Sequence, residues 1–206
     1  MPRTPRRSIT AALAVSALTM VSTIDAEAQA PPPAEQIAEA THAAPPMERA
    51  GATVFGFDAS GSMVTLREGT NTLICLADDP NRDGWNVACY HESLDPFMAR
   101  GRELRAQGVT DSGELAQRRW DEADAGTLAM PEVPATLYVM NGEGFDHAAG
   151  EAINGFLRWV VYTPWETAES TGLPAVPTGP GAPWIMFPGT AGAHIMITPA
   201  APGGGS

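Results

Sequence analysis

The chain carries two cysteines, Cys75 and Cys89, and no other pair of residues restricts its folding as much. The first lies in TLICLA and the second in NVACY, both rich in apolar and strand-forming residues. The turn-forming segment DDPNRDGW separates them. A bond between the two sulfurs staples the base of that segment. In the chain-entropy picture, closing a loop of this length stabilises by about 3 kcal/mol. Redox and metal-binding pairs use tighter spacing or further thiols, so a structural disulfide is the expectation.

The opening residues point the same way. MPRTPRRS places Arg3, Arg6 and Arg7 ahead of the apolar stretch ITAALAVSALTMV, and AEA and AQA come after it with small residues. This is the three-part order of a secretory signal peptide, with cleavage expected after Ala28. The apolar stretch is too short to span a bilayer. The expected organisation is a signal peptide over 1–28 and a Pro/Ala-rich spacer over 29–50, with a short helix in AEQIAEATHAA. One α+β domain over 51–199 and a flexible tail over 200–206 complete it. An exported chain, periplasmic or extracellular, meets an oxidising compartment where a disulfide persists.

Within the domain, ATVFGFD, SMVTLR and TLICLA are divided by ASG and EGTN and lead on to NVACY. Strand-forming residues alternating with turn residues predict a β-meander over 51–90. Asp95 before Pro96 reads as an N-cap and first turn, and PFMARGRELRAQ as a helix ended by Gly108. Phe97, Gly101 and Leu104 share its apolar face. Asp111 and Glu114 have capping-box spacing and open ELAQRRWDEADA, which ends at Gly126. Together these predict a helical hairpin over about 96–125. ATLYVM, FLRWVVY, PWIMF and AHIMIT then return to strand chemistry. Strands, then helices, then strands is the order of an α+β fold with a mostly antiparallel sheet.

The formal net charge is −12. Such a chain repels phosphate backbones, so nucleic acid is not an expected partner. The sequence has no lysine. That removes Schiff-base chemistry, a P-loop and a Ser–Lys nucleophile pair. No G-x-S-x-G elbow is present either.

Five features carry candidate chemistry. DASGSM, residues 58–63, has the look of the magnesium motif of von Willebrand A domains. The residues after it carry strand chemistry rather than a long helix, so Asp58–Gly61 reads as a hairpin turn. Asp79, Asn81 and Asp83, with Gly84 next in the chain, have the D-x-N-x-D-G spacing that opens a calcium loop. The glutamate that should close the loop is replaced by Tyr90, so the pattern is half met, and structural calcium stands beside a solvated turn. His91-Glu92-Ser93-Leu94-Asp95 resembles a zinc-protease HExxH whose last ligand is aspartate. Pro96 places the helix start after it, which leaves His91 in a loop or at a strand end. His194 opens a strand beside a glycine-rich turn, while His147 in GEGFDHAAGE reads as exposed. Trp159, Tyr162, Trp165 and Trp184 cluster late in the chain, and Trp165 and Trp184 sit beside loops where a ring can stack on a ligand.

The ordered landmarks RAGATV, LREGTN with Cys75 close behind, Cys89-Tyr90, ELRAQG, RWVVYTPW and PGTAGAHIMI resemble a family of exported bacterial proteins of no known activity. The resemblance covers roughly residues 35–199. It implies an exported single domain and transfers no catalytic residue.

Two functions stand as expectations. The first is a non-enzymatic exported module that binds a small ligand or an envelope component. It has no transmembrane segment after cleavage and no cofactor beyond structural calcium at Asp79, Asn81 and Asp83. The alternative is a hydrolase whose site is assembled in space from His91, Glu92 and His194.

Overall fold

The computed structural model describes Met1 and residues 30–200. The signal-peptide reading and the tail reading fall on residues outside the described ones. In chain order the elements begin with helix α1 (Pro33–His42) and strands β1 (Thr53–Phe57), β2 (Met63–Arg67), β3 (Leu73–Leu76) and β4 (Trp85–His91). Helices α2 (Asp95–Ala106) and α3 (Ser112–Asp124) come next. After them come strands β5 (Ala135–Gly142), β6 (Gly144–Asp146), β7 (Glu151–Ile153) and β8 (Phe156–Tyr162), then the single-turn helix α4 (Ala168–Thr171), β9 (Trp184–Met186) and β10 (His194–Ile197).

Eight strands form one sheet in the order β2-β1-β3-β4-β5-β8-β10-β9, and β6 and β7 form a separate hairpin. Every pairing is antiparallel except that of β1 with β3. The α+β class and the mostly antiparallel sheet are as expected.

The meander over 51–90 is not. β3 does not fold back on β2 but crosses to the far side of β1, pairing in parallel from Thr53↔Ile74 to Phe55↔Leu76. The EGTN segment is the crossover, not a hairpin turn. Its Thr70 and Asn71 amides both donate to the Gly51 carbonyl, at 2.7 and 3.0 Å. The Gly69 amide donates to Thr53 Oγ1 at 3.0 Å. The segment thus rides over the start of β1 and steps across two strand widths, about 10 Å. The approach is so close that a Cβ on Gly69 would stand 2.3 Å from the Thr53 nitrogen.

Side chains alternate between the faces of the sheet. One face holds Val54, Cys75, Val87 and Cys89 beneath Ala40, Ala43 and Ala44 of the α1 region. The other holds Tyr90, Val160 and Met196 with Ile74, Leu137 and Val139, beneath Phe97 and Met98 of α2 and Trp120 of α3. Leu104, Val109 and Leu115 close the space between α2 and α3.

The short helix expected over 34–44 is present, but it does not belong to a detached spacer. Buried Gln36 donates to the Phe57 carbonyl and accepts from the Phe57 amide, both at 2.8 Å. Glu39, also buried, accepts from Trp85 Nε1 at 3.0 Å. Alanine-rich composition reads as spacer in sequence. In the fold it lets α1 lie close on the sheet.

Cys75 and Cys89 face each other across β3 and β4 with Cα atoms 4.0 Å apart, and they form the expected disulfide. The helical hairpin is also as expected. Asp111 accepts from the Glu114 amide at 2.8 Å, and Gly108 and Gly126 come after α2 and α3 with φ of +91° and +71°. The cap of α2 is displaced by one residue. Leu94 holds the N-cap position, and Asp95 is the first helical residue. Its carboxylate instead accepts from the Tyr90 hydroxyl at 2.8 Å and from Arg102 at 2.9 Å.

Candidate functional site

A groove of about 890 Å³ opens on the α2 face of the sheet at its β1–β3 end. Phe55, Phe57, Leu76 and Ala88 make an apolar floor. Ala99, Arg102 and Ala106 of α2 make one wall. The turn after β1 and the segment between β3 and β4 make the other, so both loops singled out in the sequence border the same space. Its volume lies within the range typical of small-molecule sites, about 300–1,000 Å³.

Each wall has a local cause. In the turn after β1, Asp58 Oδ1 accepts from the Ser60 amide (2.8 Å), the Ser60 hydroxyl (2.6 Å) and the Ser62 amide (3.1 Å). These bonds, the Ser60 hydroxyl foremost, hold the carboxyl below its ordinary range. Strand β2 comes directly after, so DASGSM is the hairpin turn read from the sequence. In the β3–β4 segment, Asp79 Oδ1 accepts from the Asn81 amide at 3.0 Å and from its side chain at 3.3 Å. Gly84 takes φ +79°. Asp79 and Asn81 therefore share one Asx-type turn in which Asn81 turns its amide nitrogen toward Asp79, and exposed Asp83 lies after it. Among the described residues, no group of three or more His, Cys, Asp or Glu gathers as a metal site.

Arg102 is fixed in the α2 wall. It donates to the Tyr90 hydroxyl at 2.8 Å and to Asp95 at 2.9 Å, and its guanidinium lies 5.4 Å from the centre of the Phe55 ring. Buried Tyr90 is pushed well above its ordinary pKa, by burial first, so its hydroxyl stays protonated. Arg82 and Arg105 complete the basic part of the lining, and Asp78, Asp79, Asp83 and Glu103 the acidic part. Asp78 accepts from the Asn86 amide at 2.8 Å, and burial raises its carboxyl above the usual range.

The hydrolase candidates are not brought together. His91 ends β4 opposite Leu73, on the α1 face of the sheet. Its Nδ1 accepts from the Ser93 amide at 3.2 Å and caps the short turn Glu92–Leu94. Glu92 on that turn is exposed. His194 pairs with Tyr162 on the opposite face. It lies three strands from β4, about 14 Å at normal strand spacing. The His194 Nδ1–H donates to the Gly192 carbonyl at 2.7 Å. Its ring stacks 5.0 Å from Tyr162 and meets the edge of Phe187 at 5.8 Å. Burial lowers its pKa, so the ring stays neutral and serves packing. HExxD does not form one helix face either, because a 3₁₀ turn precedes the start of α2.

The tryptophan candidates also lie apart from the groove. Trp165, half-exposed and with φ +63°, donates from Nε1 to Asp124 at 2.8 Å. Trp184 lines a smaller hollow of about 390 Å³ with Pro177, Pro180, Thr198 and Pro199. His147, read as exposed, sits on the turn of the β6–β7 hairpin, with Nε2 2.9 Å from Glu39 Oε1. Phe145 beside it stacks on Trp85 at 6.0 Å. Apart from the DASGSM turn and Asp79, Asn81 and Asp83, the groove is built from residues that the sequence does not single out. Leu76 and Ala88 carry one signal. They alternate with the cysteines and so must face away from α1.

Protein-family models, curated proteins and solved structures give no match to this chain.

Proposed function

We propose that this chain is an exported, non-enzymatic domain that binds a small ligand in the groove beneath α2. The observation that carries the reading is the groove itself. An apolar floor of Phe55, Phe57, Leu76 and Ala88 is framed by polar loops and by Arg102, whose position is set by two hydrogen bonds and a ring. An apolar concavity with a few placed polar groups is the usual form of a ligand site. The histidines and Glu92 that a hydrolase would need lie outside this lining. Export is supported by the buried disulfide, which suits an oxidising compartment, and by the signal-peptide pattern of the opening residues.

A neutral apolar fluorophore, N-phenyl-1-naphthylamine, tests the site. Its emission should rise on binding the folded domain. The rise should be lost when Ala99→Trp fills the groove, in protein whose melting midpoint is unchanged. Equal binding by the filled variant would place the apolar site elsewhere and remove the basis of the proposal.

A further inference from the structure

We infer that the ligand is an amphipathic anion, with an oxyanion head held by Arg82 and Arg105 and an apolar body lying on Phe55, Phe57 and Leu76. This rests on the groove being the binding site. The described residues include nine arginines. Seven of them use their side chains in hydrogen bonds to the protein: Arg49, Arg67, Arg100, Arg102, Arg118, Arg119 and Arg158. Arg82 and Arg105, both exposed, make no such bond to any described residue, and both line the groove.

That pattern runs against the charge of the chain. With a net charge of −12, carboxylates are plentiful, and an unpartnered guanidinium has many acids to choose from. The acids of the groove are mostly engaged elsewhere. Asp78 takes the Asn86 amide, Asp79 takes Asn81, and Glu103 takes Arg100. Asp83 has no hydrogen-bond partner among the described residues. The two free arginines also lie close enough to repel. Partial desolvation by the groove walls depresses the pKa of Arg105 first, although its side chain still reaches solvent, and Arg82 depresses it further, against an opposing pull from Asp79. Two cations facing one space favour an anion between them, and a planar guanidinium matches the oxygens of a carboxylate in a paired geometry. Arg102 is committed to Tyr90 and Asp95, so it forms wall rather than ligand contact. The apolar floor adjoining the two heads accounts for the body of the ligand.

Competition against the bound neutral fluorophore tests this with decanoate and decanol, which share a chain and differ in the head. Decanoate should displace the fluorophore about tenfold more strongly, the scale of a charge-assisted hydrogen bond. Arg82→Gln and Arg105→Gln should each erase most of that preference and leave fluorophore binding intact. Arg118→Gln, outside the groove lining, should leave the preference in place. Asp83→Asn should strengthen decanoate alone. Equal displacement by the two chains, or a preference that survives both arginine changes, would overturn the anionic head and leave the groove standing as a site. Fluorophore binding that survives Ala99→Trp fails the groove, and the inference with it.

Discussion

The two ends of the sheet are made of similar strands and are filled differently. Under the start of α2 and under α3, the sheet meets large side chains. Phe97 packs edge-on to Tyr162 at 5.8 Å, and Trp120 lies 5.1 Å from Phe187, with His194 against both Tyr162 and Phe187. Under the remainder of α2, Ala88, Ala99 and Ala106 stand on facing elements, and the space they leave above Phe55, Phe57 and Leu76 is the groove. The aromatic end is where apolar surface is plentiful, and the alanine end is where a cavity lies. A cavity is an absence of volume between elements, and here the small residues Ala88, Ala99 and Ala106 are what leave it open. The prominent tryptophans mark packing and surface instead.

The largest expected effect falls on the stapled end. Cys75→Ala with Cys89→Ala removes a bond across a sequence separation of 14. It should cost about 3 kcal/mol in urea unfolding. The groove wall between β3 and β4 hangs from that bond, so fluorophore affinity should fall with it while the packing around His194 is untouched. A loss under about 1 kcal/mol with full affinity, well short of the loop-closure scale, would mean that α1 and the β3–β4 pairing hold this end by themselves. The contrast between the ends would then lose its covalent part.

A smaller effect separates the aromatic end. Folding keeps His194 neutral, so its pKa lies below the unfolded value of about 6.5. Unfolded chains then bind more protons than folded ones as pH drops. The stability from this group is complete above about pH 6.5 and is lost as pH falls from there through the folded value. His42, lowered by burial and then by Arg49, acts with the same sign. The melting midpoint should therefore fall between about pH 7.5 and pH 5, and His194→Gln should flatten the fall. Fluorophore binding should stay constant across that window, since no histidine is among the groove-lining residues. An unchanged pH slope in His194→Gln would detach the effect from the aromatic end.

Much of this architecture is legible in the residues. Alternation and β-branched or aromatic content identify the strands in kind, and FLRWVVY is β8 to the residue. Local turn chemistry locates Asp111, Gly108 and Gly126, because caps depend on neighbours only. The features that escape are non-local. The parallel step of β3 over β1 depends on Gly69 fitting against Thr53, which no local pattern announces. Asp95 has the local look of a cap and is drawn away by Tyr90 and Arg102, which lie five residues before it and seven after it. The candidate groove unites several separate segments, and its visible signals are the turn-forming loops and the alternation of Leu76 and Ala88 with the cysteines.

The smallest expected effect concerns the segment whose spacing most resembles a ligand site. Calcium bound to the folded state alone would raise the melting midpoint by mass action. The D-x-N-x-D-G spacing requires oxygen from its third position. Asn81 turns its nitrogen to Asp79 at 3.3 Å, and Asp79 Oδ1 also accepts the Asn81 amide. Asp79 and Asn81 thus spend side-chain groups on each other, which competes with their turning oxygens to an ion. Melts with calcium and with EDTA should coincide, and Asp83→Ala should shift neither by more than the equivalent of about 0.5 kcal/mol, the scale of an exposed surface change. A calcium-dependent rise that Asp83→Ala abolishes would reverse the comparison. The β3–β4 wall would then be ordered by a cation, and Arg82 beside it would face a positive ion as well as Arg105, which leaves the anionic head without its site.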